Sequence, residues 1–389
     1  MKNQRKRVLI SGPIGDFGGR ELESDIIVTS LKKEYDVSLF STSFLTKKSF
    51  AIKHLKNNEW TSALDILSKN LILKTFAIVS KLKSNRIEPY QFFIRNNLSK
   101  KLINLDKLMI NEIKKKIIDV DIVFLLVNLK SKFLKEIIEI CLKTNKVCIV
   151  RTVGTIEKLD KNTLSYFHHA TIFVHHSKTN ANRLNEQKSL PYEIIDQCAP
   201  DEEKLLDLKI DHKRYVPIFG YIGRIANGKG ILKIIDFFKS LDKDYKLIVA
   251  GDGPLLKKLI NNIRNEKRIR YVGIIDPINI SEFYKKIDIL IIPSLAETGP
   301  LIGIEAMAAG KLILSTDVGA MSERLIYLET FFFDINSFDS FESQMNIIYS
   351  LNESAKNKIA EKYRERYKEK YCRKLIKKQY TELIKSVIH

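Results

Sequence analysis

The sequence predicts an α/β protein of two domains, each built on a mostly parallel sheet, and three observations carry that expectation. Short runs rich in Ile, Val and Leu alternate with longer helical patterns along most of the chain, as strands covered on both faces do. Several runs end in glycine-bearing loops, at Gly12–Gly19, Gly223–Gly230 and Gly251–Pro254, each followed by a helical stretch. The length, 389 residues, exceeds what one ordinary core holds. We divide the chain into residues 1–205 with a basic helical insertion at about 47–107, residues 206–365, and a last helix, 366–389, returning to the first domain. The change-over falls between Asp201 and Arg214.

In the first domain, Arg7–Ser11 reads as a strand, Glu21–Lys33 as a helix and Val37–Phe40 as the next strand. The glycines of the intervening loop would let a ligand approach the backbone. The loop has neither the dinucleotide fingerprint nor a following Gly-Lys-Ser/Thr, so a tight surface turn competes with that reading. Residues 47–107 differ in character, with helical patterns at Leu64–Leu67, Leu71–Leu82 and Gln91–Ile94 and a turn near Pro89. This segment holds 13 Lys and Arg against 4 Asp and Glu. Basic helices with apolar faces suit an anionic membrane surface; the alternative is that those faces pack on the domain and the lysines face water. Strands return at Asp121–Leu126, Val147–Val150, Thr171–Val174 and Tyr192–Ile195, with helices at Lys132–Lys143 and on to Leu184.

The second domain opens with the strand Tyr215–Ile222 and the loop Gly223–Gly230, where Arg224 and Lys229 stand at the strand's carboxyl end. A guanidinium fork and a compact ammonium on a flexible loop fit a diphosphate. Further strands are Leu247–Ala250, Ile269–Gly273, Ile289–Ile292 and Lys311–Ser315, with helices at Ile231–Phe238 and Ser281–Lys286. After Phe331–Phe333 the chain is helical almost to its end, read as a brace over both domains.

The stretch Ile289–Gly310 organises the rest. A buried strand stops at Pro293 and Ser294, and a polar loop carries Glu297 and Gly299. A short helix of small apolar residues then runs to Gly310, a natural left-handed terminus. Glu305 is the exception in that helix, where an unpartnered buried carboxylate would be costly. Placed in the first turn, it would accept hydrogen bonds from ligand hydroxyls while free backbone N–H groups face a phosphate. A helix-start glutamate favoured by the dipole is the plainer reading.

Composition bounds the function. Apolar content of 44% and charged content of 29% describe a folded protein, and no apolar stretch approaches bilayer length. The short apolar strand after the basic Lys2–Arg7 leads us to expect no signal peptide. A net charge of +20 fits nucleic acid, an anionic membrane or a phosphorylated substrate. No nucleic-acid motif accompanies it, so nucleic acid is not an expected partner. Cys141, Cys148, Cys198 and Cys372 are scattered and read as reduced thiols of a cytoplasmic protein. His168, His169, His175 and His176 lack an accompanying acidic cluster, and neighbouring histidines on a strand point to opposite faces, so no metal is expected.

With these residues laid out, the second domain resembles the family 4 retaining glycosyltransferases. The matching pieces are Gly223-Arg224 with Lys229-Gly230, Gly251-Asp-Gly-Pro254, Tyr271-Val-Gly273, Glu297 and Glu305 with seven residues between them, and Val318–Glu323. The match covers about residues 215–325; the first domain agrees through its α/β rhythm and its Gly18-Gly19 loop. The resemblance implies the GT-B fold, two Rossmann-like domains facing each other across a cleft. It also implies a nucleotide-diphosphate sugar as donor, UDP-linked by preference and GDP-linked as the alternative, with no other cofactor and no metal. Arg224 and Lys229 would clamp the diphosphate and Glu305 would grip the ribose. Glu297 would orient the sugar, and backbone around Gly299, Pro300 and Leu301 would reinforce the phosphate contacts. Gly223, Gly251 and Gly253 belong to the same donor site, and the acceptor would enter near Gly18 and Gly19.

Two departures stand out. The strand end Arg151-Thr-Val-Gly154 has no histidine where many members carry one, and Glu297-Thr-Gly-Pro-Leu lacks the usual aromatic and glycine order. By analogy, the acceptor is a glycan or lipid-linked intermediate of bacterial cell-surface polysaccharide or lipopolysaccharide synthesis, met at the inner face of the membrane. A GT-B nucleotide-sugar epimerase and a non-catalytic sugar-nucleotide-binding protein at the membrane are the alternatives.

Overall fold

A computed structural model describes residues 5–16, 18–84, 90–214 and 216–388. The expected turn near Pro89, Phe17 of the first glycine loop and Tyr215 of the expected strand lie outside the described residues. The chain forms two compact units. One comprises Met1–His175, Ala181–Ile195 and Lys377–His389; the other comprises His176–Asn180 and Asp196–Ile376.

The first unit is built on a parallel sheet of β1 (Arg7–Gly12), β2 (Asp36–Ser41), β3 (Trp60–Ser62), β4 (Ile122–Val127), β5 (Val147–Thr152), β6 (Ile172–His175) and β7 (Tyr192–Ile194). They lie in the order β3-β2-β1-β4-β5-β6-β7. Every residue of β4 is buried, as a central strand covered on both faces must be. Its aliphatic side chains meet Leu9, Val150 and Phe173 in the core. Several elements escaped the sequence reading, among them a strand and a long helix. β3 is only three residues long, and the helix Leu105–Ile118 buries Leu105, Met109, Ile113 and Ile117 at four-residue spacing among lysines that mask the pattern. From the C-terminal helix Arg373–Ser386, Tyr380 sets its ring edge-on to Phe124 at 5.9 Å and donates its hydroxyl to Glu23 at 3.1 Å.

The second unit holds β8 (Ile218–Ile222), β9 (Lys246–Ala250), β10 (Ile269–Tyr271), β11 (Ile289–Ile292), β12 (Leu312–Ser315) and β13 (Phe331–Phe332). Their order is β10-β9-β8-β11-β12-β13, again parallel. The Glu353–Lys370 helix packs on this unit through a stripe of Ile359, Ala360, Tyr363 and Tyr367. The Tyr367 hydroxyl accepts the Ala199 N–H at 3.2 Å. Among the described residues no helix is long and apolar enough to cross a membrane.

Candidate functional site

In the second unit β8 lies between β9 and β11, so the chain connections leave the sheet in opposite directions on either side of it. Such a switch point opens a crevice at the carboxyl ends of the strands. The Gly223–Gly230 loop follows β8 and the loop bearing Glu297 follows β11, so the topology brings both to this point. The Leu295 N–H donates to the Gly228 carbonyl at 3.0 Å and ties the loops together. Gly230 has φ of 67° and its α-carbon lies against the Pro293 carbonyl, where any β-carbon would collide.

This approach lets the Lys229 ammonium pair directly with the Glu297 carboxylate, whose Oε1 also accepts the Ser294 hydroxyl at 3.0 Å. Lys229 keeps about a third of its side chain exposed (34%) and Glu297 less (19%). Arg224 is exposed on the same loop, and its carbonyl accepts the hydroxyl of buried Tyr221 at 2.8 Å. Burial, with the Glu297 charge adding to it, pushes the Tyr221 hydroxyl pKa far up, so it remains a donor. The Gly251–Pro254 loop braces Arg224 from behind: the Ile225 N–H donates to the Asp252 carbonyl at 2.7 Å and Leu255 N–H to the Ile225 carbonyl at 3.0 Å. Gly251 lies against the Gly223 carbonyl with φ of 129°, again too close for a β-carbon. Gly253 likewise lies against the Ile225 carbonyl, so both glycines pack closely on the Arg224 loop.

Glu305 belongs to the Leu301–Ala309 helix. Pro300 stays extended at its N-cap, so helical geometry begins at Leu301 and Glu305 is the fifth residue, a turn deeper than the first-turn position expected from sequence. The dipole of a helix start therefore does not account for it. Side chains lean towards a helix's N-terminus, which still directs the carboxylate to the first turn. Glu305 is 5% exposed, and Tyr284, fully buried, donates its hydroxyl to Oε2 at 3.1 Å. Burial raises the Glu305 pKa to about 7; the Tyr284 hydrogen bond opposes that rise and Asp201 adds to it. Of the backbone at Gly299, Pro300 and Leu301, proline has no N–H, so any donors come from its neighbours and from Ile302.

The helix is fixed at both ends. Buried Arg324 donates to the Pro300 carbonyl at 2.6 Å and grips both oxygens of Asp196 at 2.6 and 2.9 Å. Arg364 donates to the carbonyls of Ala308 and Ala309, each at 3.0 Å, and Gly310 turns left-handed at φ of 62°. Tyr284 and Arg324 were not singled out in the sequence, and Ser294 was read only as a strand stop. Tyr284 and Arg324 lie on short helices distant in sequence from the partners they hold, and no local pattern marks them.

In the first unit β1 lies between β2 and β4, a second switch point. Gly18 caps the Gly19–Leu31 helix there with φ of 126°, and the space around both glycines is open. That helix carries buried Glu21, Glu23 and Asp25. Glu23 pairs with buried Arg151 at 2.5 Å, and Arg151 also donates to the Ile195 carbonyl at 2.5 Å. Arg151, in the strand where the resemblance led us to look for a histidine, is thus turned into the unit. His175 Nδ1 and Thr152 Oγ1 share a hydrogen bond of 2.8 Å, and His176 is buried too. His168 and His169 follow the Lys161–Phe167 helix and are not on a strand as assumed. Among the described residues no three His, Cys, Asp or Glu gather as a metal cage.

Comparison with known proteins gives this geometry a lineage. Residues 206–367 match the family described as Glycosyl transferases group 1. The chain is 28% identical over 181 residues to the lipopolysaccharide 1,2-N-acetylglucosaminetransferase of Salmonella typhimurium, covering 43% of this chain and 47% of that one. It is 29% identical over 127 residues to the putative teichuronic acid biosynthesis glycosyltransferase TuaC of Bacillus subtilis, covering 33% and 30%. The chain thus spans about a third to a half of the length of the curated relatives it matches. In fold it is similar to Anabaena HepE, solved with UDP and glucose, at a TM-score of 0.71, 14% identity and coverage of 98% and 100%. It is likewise similar to sucrose-phosphate synthase from Thermosynechococcus elongatus at a TM-score of 0.70, 14% identity and coverage of 98% and 99%. The switch-point loops, Glu297 and Glu305 with seven residues between them and these matches agree: residues 206–367 match the glycosyl transferases group 1 family, and the chain has the GT-B fold of the solved structures it is similar to.

Proposed function

We propose that the chain is a metal-independent retaining glycosyltransferase that moves a sugar from a nucleoside diphosphate to a hydroxyl of a glycan or lipid-linked acceptor. The observation that carries this reading is the meeting of Lys229, Glu297 and the Arg224 loop at the β8–β11 switch point, with the buried Glu305 carboxylate one helix away. Breaking the anomeric C–O bond sends its electron pair to the diphosphate. Fixed cations at Arg224 and Lys229 would stabilise that charge as it forms. The acceptor oxygen bonds to the anomeric carbon on the face the phosphate leaves, and its proton passes to the departing phosphate oxygen. In this scheme Glu297 orients the sugar and steadies positive charge, while Glu305 accepts from the ribose hydroxyls. Solved neighbours holding UDP favour a UDP-sugar over a GDP-sugar. The named relatives in lipopolysaccharide and teichuronic acid synthesis favour cell-surface polysaccharide as the product class, with work at the cytoplasmic membrane face.

The test begins with thermal shift against UDP, GDP, ADP and their sugar conjugates. Ligand at a hundred times its Kd should stabilise the fold by about 2.7 kcal/mol. Arg224→Ala and Glu305→Gln should each abolish most of that shift. Turnover should survive EDTA, with the product's anomeric configuration matching the donor's by NMR. A nucleotide that binds as well to both variants would sink the site. Donor epimerised without acceptor would give the protein to the epimerases.

A further inference from the structure

The helix Leu71–Leu82 presents an apolar side to solvent. At about 100° per residue, Leu71, Ile72, Ile78, Val79 and Leu82 fall within one arc of about 120°. All five are exposed, Leu71 at 77%, Ile72 at 57% and Leu82 at 81%. The opposite side anchors the helix through buried Leu73 and Ala77, and Asn70 caps its start by accepting from the Ile72 and Leu73 N–H groups. An apolar face on a fixed helix is therefore a built feature of this unit and not a frayed end. Its edges are basic: Lys74 and Lys81 lie along one border and Lys83 along the other, while the helix has no acidic residue. The neighbouring Asn97–Leu102 helix repeats the chemistry with exposed Leu98 and Leu102 beside Lys100 and Lys101.

From this face we infer that the Leu71–Leu82 helix lies in the plane of an anionic lipid surface, its five aliphatic side chains among the acyl chains and its border lysines at the headgroups. An apolar stripe edged by cations matches both layers of such a surface. A second copy of this chain would bring the same lysines together, which the charge disfavours. The inference sharpens the membrane setting proposed above and rests on it only for its purpose, because lipid binding is measured apart from sugar transfer.

The experiment is co-sedimentation of the full chain with vesicles of phosphatidylcholine alone and of phosphatidylcholine mixed with phosphatidylglycerol. The chain should pellet with the mixed vesicles, at least about tenfold more tightly than with the neutral ones, and salt should weaken it. Leu71→Glu combined with Leu82→Glu, both at exposed positions, should lose at least that much while the thermal midpoint holds. Lys74→Gln, Lys81→Gln and Lys83→Gln should each cost about fivefold. A full chain left in the supernatant overturns the inference, as does a double-Glu variant that binds as tightly. Self-association without vesicles that the double-Glu variant abolishes would assign the face to a second copy instead. Nucleotide binding by the same preparations separates a failed docking face from a failed donor site.

Discussion

Tyr284 has one hydroxyl proton and two acceptors in reach, the Ile302 carbonyl at 3.0 Å and Glu305 Oε2 at 3.1 Å. An ionised carboxylate is the stronger acceptor, so this proton favours the charged form of Glu305 against its burial. Tyr284→Phe should therefore raise the Glu305 pKa further and weaken nucleotide binding near neutral pH by about tenfold, roughly 1.4 kcal/mol. The loss should shrink as pH rises and Glu305 ionises again. Calorimetric titrations from about pH 6 to 9 check this, and superimposable profiles for variant and parent would refute it. Glu305 itself was legible in the sequence because a carboxylate among small apolar residues demands a partner. The partner was not, since Phe283-Tyr284 reads as two core aromatics and only the fold brings one hydroxyl under the helix.

The Leu301–Ala309 helix shows what an element needs beyond its own residues. Its limits were readable from Pro300 and Gly310, but its end is held from the Glu353–Lys370 helix by Arg364, which serves the carbonyls of Ala308, Ala309 and Leu208. Arg364→Ala should leave those acceptors short of donors and destabilise the unit by about 1–3 kcal/mol. Arg364→Lys should recover only part, because an ammonium lacks the planar fork. Urea midpoints measure both, and an unchanged Arg364→Ala midpoint would remove the cap from this account. Strands were legible wherever β-branched runs are fully buried, as at β4 and β11. β3 was not, being too short to show a period, and the Leu105–Ile118 helix was hidden by its lysines.

Across the second unit two buried titrating groups oppose one another. Burial holds His212 neutral, with its pKa lowered from 6.5 to about 4, so its share of stability is present above pH 6.5 and lost as pH falls through 4. Glu305 is raised from 4.5 to about 7, so its share is present below pH 4.5 and lost as pH rises through 7. Between about pH 4.5 and 6.5 the slopes have opposite signs and similar size, up to about 1.4 kcal/mol per pH unit each. Glu305→Gln should make stability climb with pH in that window, and His212→Gln should make it fall. Denaturation midpoints at successive pH values decide the matter; two variants with the parent's profile would contradict it. This opposition was not legible in sequence, where His212 is one histidine in a polar stretch and its Gly310 partner lies far along the chain.

The return of the C-terminus to the first unit also sets an order in time. Residues 377–389 count with that unit, where Tyr380, Leu383 and Ile384 are buried and Thr381 reaches the Ser30 carbonyl at 3.3 Å. A ribosome adding about 5–20 residues per second needs roughly 9–36 s to go from Ile195 to Lys377. The unit synthesised first is therefore completed only after the second has been made: its sheet must wait, with the Tyr380 place beside Phe124 unfilled, until the residues from Lys377 onward have followed the second unit out of the exit tunnel.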